Sequence, residues 1–174
     1  MRLTSIALVL CLASAPACAQ AQESAPFYRG KTIRIVISTG VAGGYAEYAR
    51  VIAEHMGRHI AGNPGFIVQS MPGAGGLQAA NYLFAQAPQD GTTMLTQGLD
   101  RPVMLPPGVP AERVRELRAA FDATMADPAF RADIERRSLH VDPVRGEEMA
   151  KAFERAFALP PEVIAGAREM MAGR

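Results

Sequence analysis

Two glycine-bearing loops, each running from an apolar stretch into a helical pattern, constrain this chain more than any other feature. The first is Ser38-Thr-Gly-Val-Ala-Gly-Gly44 and the second is Met71-Pro-Gly-Ala-Gly-Gly76. Ahead of the first, Lys31 to Ser38 reads as a strand: Ile33, Ile35 and Ile37 alternate, and Val36 makes the end apolar on both faces, as in a buried α/β sheet. After it, Tyr48, Val51, Ile52, His55, Met56 and His59 recur near 3.6-residue spacing, predicting a helix from Tyr45 to Ile60. The turn Gly62-Asn-Pro-Gly65 starts the second cycle. Phe66 to Gln69 is its strand and Leu77 to Gln86 its helix, ended by Pro88-Gln-Asp-Gly91, and Thr92 to Thr96 is the next strand. Strand, loop, helix, repeated, predicts a βαβαβ unit with a mostly parallel sheet. Right-handed crossovers then bring both loops to the carboxyl edge of the strands, where open α/β sheets hold ligands.

The second half is different in kind. Val103 to Leu105 predicts one more short strand, stopped by Pro106-Pro-Gly108. Helices follow over Pro110 to Ala126, Pro128 to Arg137, Gly146 to Leu159 and Pro161 to Met171, with Val114, Leu117, Phe121 and Met125 on one face of the first. Pro110, Pro128 and Pro161 suit first-turn positions, where the missing N–H has no helical role. Leu139-His-Val141 is read as a small strand between helices. The arginines between Arg113 and Arg137 alternate with Glu112, Glu116, Asp122, Asp127, Asp133 and Glu135, the pattern of solvated helix faces. The whole reads as a single α/β domain, its mostly parallel sheet flanked by helices.

The start of the chain reads as an export signal. Arg2 gives a positive n-region, Ile6 to Ala13 a short apolar core, and Ala17-Cys-Ala19 or Ala19-Gln-Ala21 a cleavage site. A bilayer span needs roughly 20 apolar residues, more than this run offers. Residues 1–21 are therefore expected to be removed and the mature chain to be periplasmic. Both cysteines, Cys11 and Cys18, fall in that segment. Ala15-Pro-Ala17 departs from the leucine-led box of lipoproteins, so Cys18 is not read as a lipid anchor. A mature chain without cysteine has no disulfide, thiol nucleophile or zinc–thiolate site. With Arg2 gone, acidic and basic side chains balance, and no basic stripe marks a nucleic-acid binder.

The loops carry the chemistry. First-turn N–H groups have no partner inside a helix, and the helix dipole puts partial positive charge there, so an anion is the natural guest. Two such loops side by side form a nest for one carboxylate, with Ser38 or Thr39 adding a hydroxyl and Tyr45 lining it. The spacing fits neither G-x-x-x-x-G-K-[ST] nor G-x-G-x-x-G, so nucleotide fingerprints are absent. His55 and His59 stand four apart, a spacing open to metal, but no Glu follows His55 and only His140 and scattered acids are left to complete a set. Ser70 lacks a nucleophile elbow and a histidine to serve it. No catalytic residue, cofactor or metal site is assigned, and the expectation is a non-enzyme.

Lys31-Thr-Ile-Arg-Ile-Val-Ile37 before the Gly43-Gly44 loop, with Ala49-Arg50 after it, resembles the start of a Bug-type protein, the periplasmic substrate-binding component of tripartite tricarboxylate transporters. Pro72-Gly-Ala-Gly-Gly76, Ala87-Pro-Gln-Asp-Gly91, Pro106-Pro-Gly-Val-Pro-Ala-Glu112 and Asp127-Pro128 are similar to later landmarks of that family, in the same order. The resemblance implies one lobe of a two-lobe clamp that closes on small carboxylates. It implies ligand contacts at Ser38, Thr39, Gly43, Gly44 and Tyr45 in the first loop, and at Pro72, Gly73, Ala74, Gly75 and Gly76 in the second. It also implies transporter membrane subunits as partners.

The chain departs from the pattern in three places. Ala46 stands where an acid is usual, and Ala42 where a glycine is common. Between Gly98 and Arg101 the family passes into a second domain that is missing here. Residues 27–98 are then the N-terminal part of one lobe and 101–174 the helical part that completes it. Such a lobe is expected to bind its carboxylate weakly or not at all. The sequence leaves two other readings open: an interaction module that forms homo-oligomers through the exposed former domain interface, and a non-functional remnant.

Overall fold

The computed structural model describes residues 26–97, 101–158 and scattered positions from 160 to 169. The expected signal peptide, the junction at 98–100 and much of the helix expected over Pro161 to Met171 lie outside the described residues. Among the described residues the order is β1 (Thr32–Ile37), α1 (Gly44–Met56), β2 (Gly65–Ser70), α2 (Leu77–Ala85), β3 (Thr93–Thr96), β4 (Val103–Met104), α3 (Ala111–Ala126), α4 (Pro128–Arg136) and α5 (Gly146–Phe157). The sheet order is β2-β1-β3-β4. β1 pairs in parallel with both β2 and β3, and β4 closes the far edge antiparallel to β3. This is an α/β domain with a mostly parallel sheet, as the repeated strand–loop–helix pattern predicts.

Alternation along β1 divides the core. Ile35 and Ile37 point to one face and pack with Ala46 and Ala49 of α1. Ile33 and Met94 extend that layer to Tyr28, Met56, Leu117 and Ala120, so α3 covers the same side. Val36 and Leu95 point to the opposite face, where α2 supplies Ala79 and Leu83. The two crossover helices thus sit on opposite faces of the sheet. α4 adds a further layer, with Phe130 and Ile134 against Val51 of α1 and Met125 of α3. Asp127 begins α4 by accepting the Ala129 N–H at 2.8 Å, and Pro128 takes the first turn.

Two expectations are corrected. Leu139 to Val141 forms no strand; the segment is irregular and is tied to α1 by Tyr48, whose hydroxyl donates to the His140 carbonyl at 2.6 Å and accepts its N–H at 3.0 Å. Tyr48 satisfies both backbone groups of His140, and the Leu139 N–H donates to the Ile134 carbonyl of α4 at 3.0 Å, so the segment closes on the helices instead of on a strand. The charges of α4 are not simply a solvated face either. Asp133 is 5% exposed and meets His55 of α1 at 3.1 Å, while Arg137 reaches Glu47 and Glu54 of α1, each at 2.7 Å.

Candidate functional site

The sheet order reverses at β1. The chain leaves β1 through α1 to reach β2 on one side, then returns through α2 to β3 on the other. Crevices form at such a switch point, and both glycine loops lie there. The β1–α1 loop carries Ser38 and Thr39 at the end of the central strand. The β2–α2 loop passes over it through the tight turn Ala74–Gly76, where the Gly76 N–H donates to the Gly73 carbonyl at 2.9 Å. Together they enclose an open cleft of about 420 Å³ lined by Ser38, Thr39, Tyr45, Gly73, Ala74, Gly75 and Gly76.

Backbone conformation explains the glycines at the closest approach. Gly76 has φ +96°, and a Cβ there would stand 3.3 Å from the Ser38 Cβ and 3.2 Å from the Gln97 Oε1. Ala74 also has positive φ, at 46°, an uncommon state for a residue with a side chain. The loops are fastened to each other: the Ser70 hydroxyl, at the end of β2, donates to the Thr39 carbonyl at 2.7 Å, and the Met71 N–H donates to the Ile37 carbonyl at 2.9 Å. Ser70 is thus a brace between loops, a role that strand periodicity alone does not reveal.

Both helices that leave the cleft begin without a side-chain cap. Gly43 precedes α1 and Gly76 precedes α2, and neither has a side chain to accept the first-turn N–H groups. Away from the cleft, α4 is capped by Asp127, while α3 and α5 also begin without a side-chain cap, so the cleft differs in its glycines rather than in the missing caps alone. Both helix starts direct partial positive charge to the concavity, but in the second loop the Gly76 and Leu77 N–H groups already donate to the Gly73 and Ala74 carbonyls, so the open first-turn donors belong to α1. No carboxylate side chain is among the lining residues.

The ten positions expected to contact a ligand divide into two groups. Ser38, Thr39, Tyr45, Gly73, Ala74, Gly75 and Gly76 come together on the cleft wall. Gly43, Gly44 and Pro72 do not line it: Gly43 has φ +94° and sets the turn into α1, and Pro72 is exposed on the approach to the second loop. A residue outside that set also reaches the site. Arg101 folds back across the start of α1, its guanidinium carbon 5.1 Å from the Tyr45 ring centre and 4.4 Å from that of Tyr48. A Cβ on Gly44 would lie 3.7 Å from its Nη2. This brings a cation to the rim of the cleft. Its position depends on how the chain returns to the sheet after β3, which spacing does not encode.

His55 and His59 turn towards α4 rather than towards the cleft. Ligand atoms of Glu54, His55 and Asp133 lie within 4.8 Å of one another. Arginines already engage that set: Arg137 bonds Glu54 and Asp133, Arg136 bonds Asp133 at 2.6 Å, and Arg58 donates to Nδ1 of His55. His55 therefore presents Nε2–H to Asp133, and the cluster is a lock between α1 and α4. Arg137 and His55 hold the Asp133 carboxyl down at about 2. One step along, His59 meets Asp127 at 3.0 Å, and the Ala129 N–H together with His59 lowers that carboxyl too.

Compared with known proteins, the chain matches no family model and no curated sequence.

Proposed function

We propose that this chain is a periplasmic binder of small carboxylates, a Bug-type solute-binding lobe without its facing domain, that captures its ligand without covalent chemistry. The observation that supports this reading is the convergence of two uncapped, glycine-led helix starts on one cleft with no acidic lining. One carboxylate fits the first-turn N–H groups of α1 and the Ser38 and Thr39 hydroxyls, with Tyr45 as a wall and Arg101 as a cation at the rim. The export pattern of residues 1–21 is consistent with a periplasmic address.

The same geometry makes weak binding the expectation. An open cleft leaves the ligand facing water, where each hydrogen bond nets only about 0.5–1.5 kcal/mol. A dissociation constant of about 1 mM or weaker follows. Calorimetry with citrate, succinate, glutamate and benzoate tests this. Binding of at least one acid is expected, lost in Gly76→Val and weakened about 2- to 5-fold in Arg101→Ala, the range of an exposed ion pair. No heat from any acid at high concentration, or binding indifferent to Gly76→Val, would overturn the assignment. Submicromolar binding by a monomer would overturn the weakened site while leaving the ligand class standing.

A further inference from the structure

We infer that Arg50 is a positioning residue for the cleft: it takes the Val41 carbonyl, the acceptor on which the first N–H of α1 would otherwise close, and so keeps that donor open for an anion. The two loops are one device in two states. Each ends in a glycine that precedes a helix, and in each the first helical N–H lies three residues beyond a loop carbonyl. In the second loop this turn is closed: the Leu77 N–H donates to the Ala74 carbonyl, and the Gly76 N–H to that of Gly73 at 2.9 Å. In the first loop the equivalent pair is the Gly44 N–H and the Val41 carbonyl. Among the described residues that bond is not made. The Val41 carbonyl accepts from Nη2 of Arg50 instead.

Backbone angles record the difference. A closed turn with positive φ at its second central residue needs ψ near 0° there. Gly76 has φ +96° and ψ −8°. Gly43 has almost the same φ, +94°, but ψ 177°. At this position the loops differ by one torsion, and a glycine can take either value. Residues 40–43 are exposed, so core packing does not choose between them.

The hold comes from α1. Nη1 of Arg50 bonds Oε2 of Glu47 at 2.9 Å, and Oε1 of Glu47 bonds Arg137 at 2.7 Å. Arg137 is in turn anchored on Asp133. The guanidinium is thus held from behind by the α1–α4 lock while its other nitrogen reaches the loop, a task for a two-donor fork rather than a point charge. Gly44 adjoins Tyr45 of the cleft wall, and a Cβ on it would lie 3.7 Å from Nη2 of Arg101, so the freed donor sits beside the rim cation. An arriving anion need not first break a loop bond, which is preorganisation. The effect on affinity rests on the carboxylate reading above; the state of the turn does not.

Solvent-exchange NMR on isotope-labelled protein tests the turn directly. The wild-type Gly44 amide is expected to exchange as an unbonded one. Arg50→Met keeps the apolar stem and removes the donors, and Gly44 is then expected to exchange about 3- to 10-fold more slowly, the range of one closed backbone bond. A merely structural brace predicts the opposite, faster exchange across residues 40–46. Citrate titration of the same samples is expected to show binding about 3- to 10-fold weaker in Arg50→Met, because the ligand must reopen the turn. The urea midpoint should stay close to wild type, since an exposed pair of this kind contributes little. A slowly exchanging wild-type Gly44, faster exchange throughout the loop in Arg50→Met, or equal citrate affinities for the two proteins would overturn the inference. No citrate binding by the wild type, with Gly44 open there and closed in Arg50→Met, would strike the carboxylate reading and leave Arg50 as the residue that holds the turn open.

Discussion

Asp133 lies almost wholly out of solvent and is nevertheless ionised, because donors surround it. His55 Nε2 stands 3.1 Å from one carboxylate oxygen, and Arg136 and Arg137 reach the other at 2.6 and 3.1 Å. Its folded pKa of about 2 lies below the ordinary aspartate value near 3.9. An unfolded chain therefore takes up this proton first as pH falls. The stabilisation is full above about pH 4 and is lost on descent towards pH 2. Urea midpoints of the wild type are expected to hold from pH 7 to about 4.5 and then drop more steeply than those of Asp133→Asn. Asp133→Asn starts lower at neutral pH, because His55 and Arg137 lose their anion. Parallel curves for the two proteins below pH 4 would count against the lock. None of this is legible in the alternating charges of α4, since Asp133 and His55 are 78 positions apart and meet only once α4 lies on α1.

At the scale of elements, local pattern carries far. Ile33, Ile35 and Ile37 mark β1, and the glycine runs mark the turns into α1 and α2, because each signal depends on neighbours a few residues away. The cleft itself was legible for the same reason: six of its seven wall positions belong to the two loops, and the seventh, Tyr45, to the first turn of α1. What local pattern misses is contact between distant parts, as with Ser70 bracing Thr39, Arg101 lying over Tyr45 and Tyr48, and the segment after α4 held by a tyrosine rather than by a strand partner. The same distinction separates two phenylalanines on helices. Phe130 of α4 is 2% exposed, packs in the α1–α3–α4 core and meets the His55 ring edge-on at 5.7 Å, whereas Phe84 of α2 is 64% exposed. Phe130→Ala is expected to cost about 3–5 kcal/mol in urea unfolding. Phe84→Ala should stay within about 0.5 kcal/mol. Equal losses would mean that α4 is not the anchored helix described.

At the scale of the whole molecule, the sheet shows how the two halves of the chain are held in one domain. β3 and β4 form an antiparallel pair with Thr96 opposite Val103 and Leu95 opposite Met104. The short connection at 97–102 therefore joins strands that are already neighbours. β4 then leads to α3, which covers the face holding Ile33 and Met94, so both halves of the chain contribute to one core. A domain built this way does not depend on the length of the segment between β3 and β4. The cost of lengthening such a connection grows only with the logarithm of its length, about 0.6 kcal/mol for each doubling. Inserting a flexible Gly/Ser segment of the same length as the connection after Gly98 is therefore expected to lower unfolding stability by about 0.6 kcal/mol. The circular dichroism spectrum and the Asp133 acid transition should stay in place. A loss of several kcal/mol would mean that the short connection itself holds the sheet together.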